Sequence, residues 1–280
     1  MDIQWYPGHM AKTRKLLLEN VTLVDIIIEL LDARIPKSSQ NPDFESIFNQ
    51  KKRIKALNKS DLADREVLNL WKQSYKAQGI ACVFINSSTG TGFKELLSEM
   101  EHMLKEKFER DAKRGIRKRP IRAMVVGIPN VGKSTFINKI CGRASTKTGD
   151  KPGVTKSKQW IRLDSHIHLL DTPGILWPKF EYDETGYNLA FTGAIKDEIM
   201  DTQGLAEKLL DKLKTDYMGN IMERYRVSME GKNGREMLEA IAFERNYLLK
   251  QGQPDLFKTS QILLDEFRGG RMGAISLERP

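Results

Sequence analysis

One eight-residue loop constrains this chain more than any other feature. Gly127-Ile128-Pro129-Asn130-Val131-Gly132-Lys133-Ser134 follows an apolar run of strand length, Arg122–Gly127, and leads into a helix-spaced run, Lys133–Cys141. The glycines let backbone N–H groups turn inward, and a helix N-terminus adds the positive end of its dipole, so the loop is shaped to cradle phosphate. Strand, loop and helix in that order place it in an α/β domain built on a mainly parallel sheet. Lys133 is expected to reach the β- and γ-phosphates and Ser134 to hold Mg2+ through its hydroxyl, with Val131, Gly132 and Thr135 lining the cradle.

A second apolar run, Arg53–Leu57, leads into Asn58-Lys59-Ser60-Asp61. A carboxylate accepts hydrogen bonds from the N1–H and 2-amino group of guanine. Adenine lacks that donor pair, so Asp61 would select a guanine nucleotide, GTP or GDP, by leaving its own charge unpaired with the wrong base. Asn58 is expected to tie this loop to the phosphate loop, and the Lys59 stem to lie along the base. After the next strand run, Ala81–Ile85, comes Asn86-Ser87-Ser88. Ser87 stands where a backbone N–H would meet the guanine O6; an ordinary polar turn is the alternative.

Asp171-Thr172-Pro173-Gly174 closes another apolar run, Ile167–Leu170. Asp171 would bind Mg2+ through water, and the Gly174 N–H would sense the γ-phosphate. Upstream, the glycine-containing segment Gly149–Thr155 makes Thr155 the candidate second Mg2+ ligand, in a loop of the kind that orders around phosphate and metal. Ile175 follows Gly174, where many GTPases place a glutamine that orients the attacking water. An isoleucine cannot do this. Either hydrolysis is slow in the free protein or another group positions the water. His9, in the turn-forming segment Gln4–Met10, is one candidate; a structural or RNA-contacting histidine is the other reading. Asn130 also has two readings: an asparagine at this point of the loop resembles the GTPases that bind K+ beside the phosphates, or it is a loop asparagine bonded to its own backbone.

The order of these loops is unusual. A conventional GTPase runs phosphate loop, first switch, Asp-x-x-Gly, base loop, serine loop; here the last two come first. Joining the old ends through a basic linker at 111–120 leaves the sheet intact, because domain termini are often close neighbours. The new ends fall after the second switch, so the few residues from Gly174 to Glu181 run directly into the C-terminal hundred residues. The expectation is that nucleotide state repositions residues 181–280.

Strand runs are expected at Val24–Leu31, Arg53–Leu57, Ala81–Ile85, Arg122–Gly127, Trp160–Leu163 and Ile167–Leu170. Helices are expected near Pro42–Asn49, Asp64–Gln78, Phe93–Arg110 and Lys133–Cys141. After Pro178 strand runs vanish, and helical spacing marks Leu189–Ile199, Leu205–Leu213, Arg235–Leu249 and Leu256–Phe267. Residues 1–178 are read as one α/β P-loop domain and 181–280 as a small all-helical domain.

Charge divides along the same line. Residues 1–177 hold 31 Lys/Arg and 19 Asp/Glu, a net of +12; residues 178–280 hold 15 and 18, a net of −3, together the +9 of the chain. The basic part suits a polyanionic partner. Lys105–Arg122 alone carries nine basic residues against three acidic ones, either a solvated face or a nucleic-acid contact. The two cysteines, Cys82 and Cys141, are read as inert thiols in preference to a disulfide or metal pair. No apolar run reaches ~18 residues, and the reading is a cytoplasmic protein, monomeric and without membrane contact.

Taken together, Trp5–Lys12, Asp32-Ala33-Arg34-Ile35-Pro36, Asn58–Asp61, Gly127–Ser134, Pro152–Thr155 and Asp171–Pro178 resemble the circularly permuted GTPases that act in ribosome assembly. The resemblance covers residues 1–200. It implies late maturation of the large ribosomal subunit, binding to its rRNA, hydrolysis stimulated by that particle, and a part for His9 in place of the missing glutamine. RNA contact by the helical region is also implied, although its sequence and charge diverge. Two other functions fit the loops: a GTPase driving tRNA modification with a partner protein, and a GTP-dependent binding switch that does not hydrolyse.

Overall fold

The computed structural model describes residues 7–116, 119–142, 159–163, 167–172, 183–195 and 200–280, the side chains of 7–13, 159, 171 and 183 excepted. Six strands form one sheet: β1 (Ile26–Asp32), β2 (Lys52–Asn58), β3 (Ala81–Phe84), β4 (Ile121–Val126), β5 (Gln159–Arg162) and β6 (Ile167–Asp171). Their spatial order is β3-β2-β1-β4-β6-β5, parallel except where β5 pairs with β6. All seven residues of β1 are buried, as expected of a central strand covered on both faces. Each expected strand is present, with ends displaced by at most two residues.

Helices α2 (Asp43–Ile47), α3 (Arg65–Ala77), α4 (Phe93–Lys113) and α5 (Lys133–Ile140) fill the connections. On one face Ile26, Ile28, Leu30 and Val125 pack with Leu96 and Met100 of α4 and Phe136 of α5. That core continues without a break into the helical region, through Leu209, Ile241 and Phe267. The opposite face carries two smaller clusters, one around Phe44, Phe48 and Met124 and one beneath Trp71 and Tyr75 of α3. Glu29 and Lys55, register partners and both buried, lie between them.

The segment joining α4 to β4 is fastened by Asp25. Its carboxylate accepts two hydrogen bonds from the Arg119 guanidinium at 2.7 Å each, one from the Arg122 N–H at 3.0 Å, and one from Lys107. Burial alone would raise this carboxyl, but the cations and the N–H outweigh it and bring it down to about 2. The basic stretch that the loop order requires as a splice is thus partly spent on one buried anion.

Three expectations need correction, one of them the helix expected over Arg235–Leu249, which stops at Glu244. Gln4–Met10 is not a turn throughout: α1 runs Pro7–Val21. Proline at a first helical position gives up an N–H that has no intrahelical partner and supplies the right φ. The stretch Leu189–Ile199 is also not one helix. Helix α6 is Asp183–Phe191, and Gly193 at φ +76° turns the chain so that the Ala194 N–H bonds the Leu189 carbonyl at 2.8 Å. This left-handed glycine closure ends the helix. Beyond it lie α7 (Thr202–Asp216), α8 (Met218–Tyr225), α9 (Gly234–Glu244) and α10 (Leu256–Arg268); α8 was not expected. Asp201, Asn233 and Asp255 cap α7, α9 and α10 through their side chains.

The final residues return to the sheet. The Ile275 N–H donates to the Leu62 carbonyl and the Leu277 N–H to the Arg34 carbonyl, both at 2.9 Å, and Trp71 Nε1 donates to the Glu278 carbonyl at 3.3 Å. Neither cysteine is in a disulfide, and burial pushes the Cys82 thiol up to about 12. Among the described residues no helix is long and apolar enough to cross a membrane.

Candidate functional site

The loops singled out by sequence leave the C-terminal ends of neighbouring strands. Asp32 of β1 is level with Asn58 of β2, and Val125 of β4 with Asp171 of β6. Parallel strands put these four ends on one edge of the sheet, the edge where such sheets bind ligands.

Asn58 is buried and joins three loops. Its Nδ2 donates to the Val131 carbonyl at 2.7 Å, and its Oδ1 accepts from the Ser87 N–H at 3.0 Å and the Ser87 hydroxyl at 2.7 Å. Gly132 makes the approach possible. At φ +98° it is in the left-handed region, and a Cβ there would lie 2.4 Å from Asn58 Nδ2. Asp61 is exposed beyond this junction, while the Ser60 N–H bonds the Ile85 carbonyl at 3.1 Å and holds the loop against the end of β3.

In the phosphate loop Lys133 opens α5, is buried, and donates from Nζ to the carbonyls of Gly127 at 2.9 Å and Ile128 at 2.8 Å. Val131 is buried, Ser134 is half-buried in the first turn of α5, and Thr135 is exposed. Asn130 adopts φ +56°; its Nδ2 donates to the Gly193 carbonyl of the helical region at 2.7 Å, not to its own loop.

Beside Asp171, whose side chain lies outside the described residues, Thr172 is buried and donates its hydroxyl to the Val125 carbonyl at 2.7 Å. Thr155, Gly174 and Ile175 lie outside the described residues; for His9 the backbone is described, in the first turn of α1, and the side chain is not. Among the described residues no group of three or more His, Cys, Asp or Glu could hold a metal ion by itself. The hydroxyl of Ser134 is a hard oxygen donor, the kind that Mg2+ takes in ones and twos alongside substrate phosphates and water.

Sequence reasoning missed one constellation. Asp32 is buried and accepts from Arg34 in a fork, Nε to Oδ1 at 2.9 Å and Nη2 to Oδ2 at 2.8 Å, with Lys59 Nζ on Oδ2 at 3.0 Å. Lys59, at φ +60°, also donates to the Asn130 carbonyl at 2.9 Å. Burial would raise the Asp32 carboxyl, but the Arg34 and Lys59 charges outweigh it and hold it far below the usual carboxylate range. Loss of one partner from such a buried pair costs roughly 3–5 kcal/mol, because the other charge is left uncompensated. The available signal was an Asp-x-Arg directly at the end of an apolar strand on the ligand edge.

Comparison with known proteins bears on this arrangement. A family model described as 50S ribosome-binding GTPase matches residues 122–223. The chain is similar to ribosome biogenesis GTPase A of Bacillus cereus, 45% identical over 280 residues, which is 100% of this chain and 95% of that relative. The protein of the same name from Thermotoga maritima is 31% identical over 278 residues, 99% of this chain and 95% of the relative. Among solved structures, GDP-bound TM YlqF has a TM-score of 0.71 at 27% identity, covering 95% of this chain and 99% of its own. GNP-bound YlqF from T. maritima gives 0.68 at 26% identity, covering 96% and 98%.

Proposed function

As a member of the ribosome biogenesis GTPase A family, this chain is a GTPase, and we propose that it assists late assembly of the large ribosomal subunit. In this reading it binds the immature particle and its rRNA with GTP and leaves after hydrolysis. Residues 1–178 form the permuted GTPase domain and 181–280 a helical domain that contacts the particle. The protein works as a monomer in the cytoplasm. The single observation that carries the nucleotide part of the reading is Asn58, which holds base loop, serine loop and phosphate loop together although they are reordered along the chain.

The chemistry follows from these placements. Asp61 pairs with the N1–H and 2-amino group of guanine, whereas the expected Ser87 N–H is already given to Asn58 Oδ1 and does not serve O6. Backbone N–H groups from Asn130 to Thr135 surround the phosphates, and Lys133 moves its ammonium from the loop carbonyls to phosphate oxygens. Ser134 and Thr155 would hold Mg2+ through their hydroxyls and Asp171 through water; when bound, the ion would neutralise phosphate charge. The Gly174 N–H contacts the γ-phosphate. Asn130 has its amide nitrogen bonded to Gly193, so Oδ1 is the atom that would face K+. His9 orients the attacking water, the task that Ile175 cannot perform.

The test is sedimentation of the protein with large-subunit particles, with GDP and with a non-hydrolysable GTP analogue, at two salt concentrations. The proposal expects co-sedimentation with the analogue, much less with GDP, and a steep loss at the higher salt. Equal sedimentation with both nucleotides, or none with either, contradicts it.

A further inference from the structure

The motif Asp32-Ala33-Arg34-Ile35-Pro36 has no part in the chemistry just described, yet its two charged side chains are at the centre of a polar network that spans both regions of the molecule. From the nucleotide side, Lys59 reaches Asp32, and Asp32 is gripped by Arg34. From the helical side, Arg34 Nη1 donates to the carbonyls of Phe267 and Arg268 at 3.4 Å each, and its guanidinium stands 5.3 Å from the centre of the Phe267 ring. Those carbonyls are at the C-terminal end of α10, where the negative end of the helix dipole favours a cation.

A second route closes the circuit. The Arg268 side chain donates to the carbonyls of Phe191 at 3.1 Å and Ala190 at 2.9 Å, at the end of α6. Gly193, two residues on, accepts from Asn130 Nδ2, and the Asn130 carbonyl accepts from Lys59. The ring therefore runs Lys59, Asp32, Arg34, end of α10, Arg268, end of α6, Gly193, Asn130 and back to Lys59. Two of its non-glycine members, Lys59 and Asn130, carry positive φ, a conformation that persists only when the surroundings fix it. The strap at Ile275 and Leu277 adds bonds to Leu62 and to the Arg34 carbonyl beside it.

We propose that Asp32 and Arg34 are positioning residues for guanine nucleotide, and that through them the seating of the base loop and the docking of α6 and α10 are energetically linked. The coupling then runs through the base loop and Asn130, in addition to any movement after Gly174. Linkage is reciprocal, so loosening the helical side must weaken nucleotide retention. This inference rests on the guanine-nucleotide reading above.

The experiment uses the full chain and a fluorescent GDP. Arg34→Lys keeps a charge on Asp32 but cannot supply the fork and the α10 contacts together. Arg268→Met cuts the α6 link from outside the nucleotide loops, and stands alone as the test if Arg34→Lys does not fold. Each folded variant is expected to release GDP roughly fivefold or more faster than the parent, within the range usual for coupled sites. A second readout separates positioning from simple destabilisation. In the parent, GDP should slow hydrogen exchange at the amides of Ile275 and Leu277; in the variants exchange there should no longer depend on GDP. Folded variants with parental release rates, or with GDP protection at those amides unchanged, overturn the proposal. A parent that binds no GDP sinks the nucleotide reading itself, and this inference with it.

Discussion

The side-chain amide of Asn58 donates to the backbone carbonyl of Val131 at 2.7 Å, across 73 residues of sequence. The same side chain accepts twice from Ser87. One neutral side chain thus sets the distance between the Asn58–Asp61 loop and the Gly127–Ser134 loop. Asn58→Ala removes three hydrogen bonds and strands buried polar groups on both neighbours. It should lower stability by about 2 kcal/mol and weaken GDP binding roughly 30-fold or more. Denaturant unfolding and calorimetric titration check the two parts.

Gly132→Ala acts on the same contact from the other side. The new Cβ would lie 2.4 Å from Asn58 Nδ2, on a residue at φ +98°. It should weaken GDP binding at least as much as Asn58→Ala. Because both changes break one contact, the double variant should bind GDP more tightly than the product of the two single effects predicts. A double-variant cycle read by titration tests this.

Asp61 is exposed, so its replacement should leave the fold intact. Asp61→Asn places a donor where guanine presents donors. Preference for GDP over ADP should fall roughly 100-fold or more, while the melting temperature without nucleotide stays within about 2 °C of the parent. Competition binding with both nucleotides gives the ratio.

Asp25 ties Lys107, Arg119 and the Arg122 backbone together. Its carboxyl is lowered from 3.8 to about 2 in the fold. A depressed carboxylate contributes stability that is fully present above the unfolded value and is lost as pH falls through the folded one. The contribution is about 2 kcal/mol. Asp25→Asn should therefore melt lower than the parent at neutral pH, and the gap should narrow between about pH 4 and pH 2. Thermal unfolding of both proteins across that window is the check.

His9 is assigned to orient water, not to hold nucleotide. His9→Ala should reduce particle-stimulated GTP turnover roughly 10²-fold and leave the GDP dissociation constant unchanged. Single-turnover hydrolysis with particles, beside nucleotide titration, separates the two. A loss of affinity equal to the loss of rate would return His9 to a structural role.

Much of this was legible in the amino-acid order for physical reasons. The central strands β1, β2 and β4 are largely apolar runs because both faces of a parallel sheet are covered, and the loops after β2, β4 and β6 carry residue types whose chemistry is local. Pro7-Gly8 reads as a turn because the same proline suits a turn or a helix start, and only the packing of Leu17 beyond it decides for a helix. Helix α8 has Ile221 and Tyr225 four residues apart and buried, with buried Tyr217 as the residue before it, but that one residue alone separates it from α7 and no side-chain cap announces it. The Asp32–Arg34 pair left a local signal, an Asp-x-Arg at the end of a strand, but the carbonyls that complete its network belong to residues more than 230 positions away. Local sequence carries no record of such a partner.

Calorimetric titration of the folded, nucleotide-stripped chain with GDP and, separately, with ADP tests the central claim most directly. Loops reordered along the chain but joined through Asn58 should give saturable heat at one site with GDP and none with ADP at the same concentrations. Equal heats from the two nucleotides, or no heat from GDP, would contradict the account.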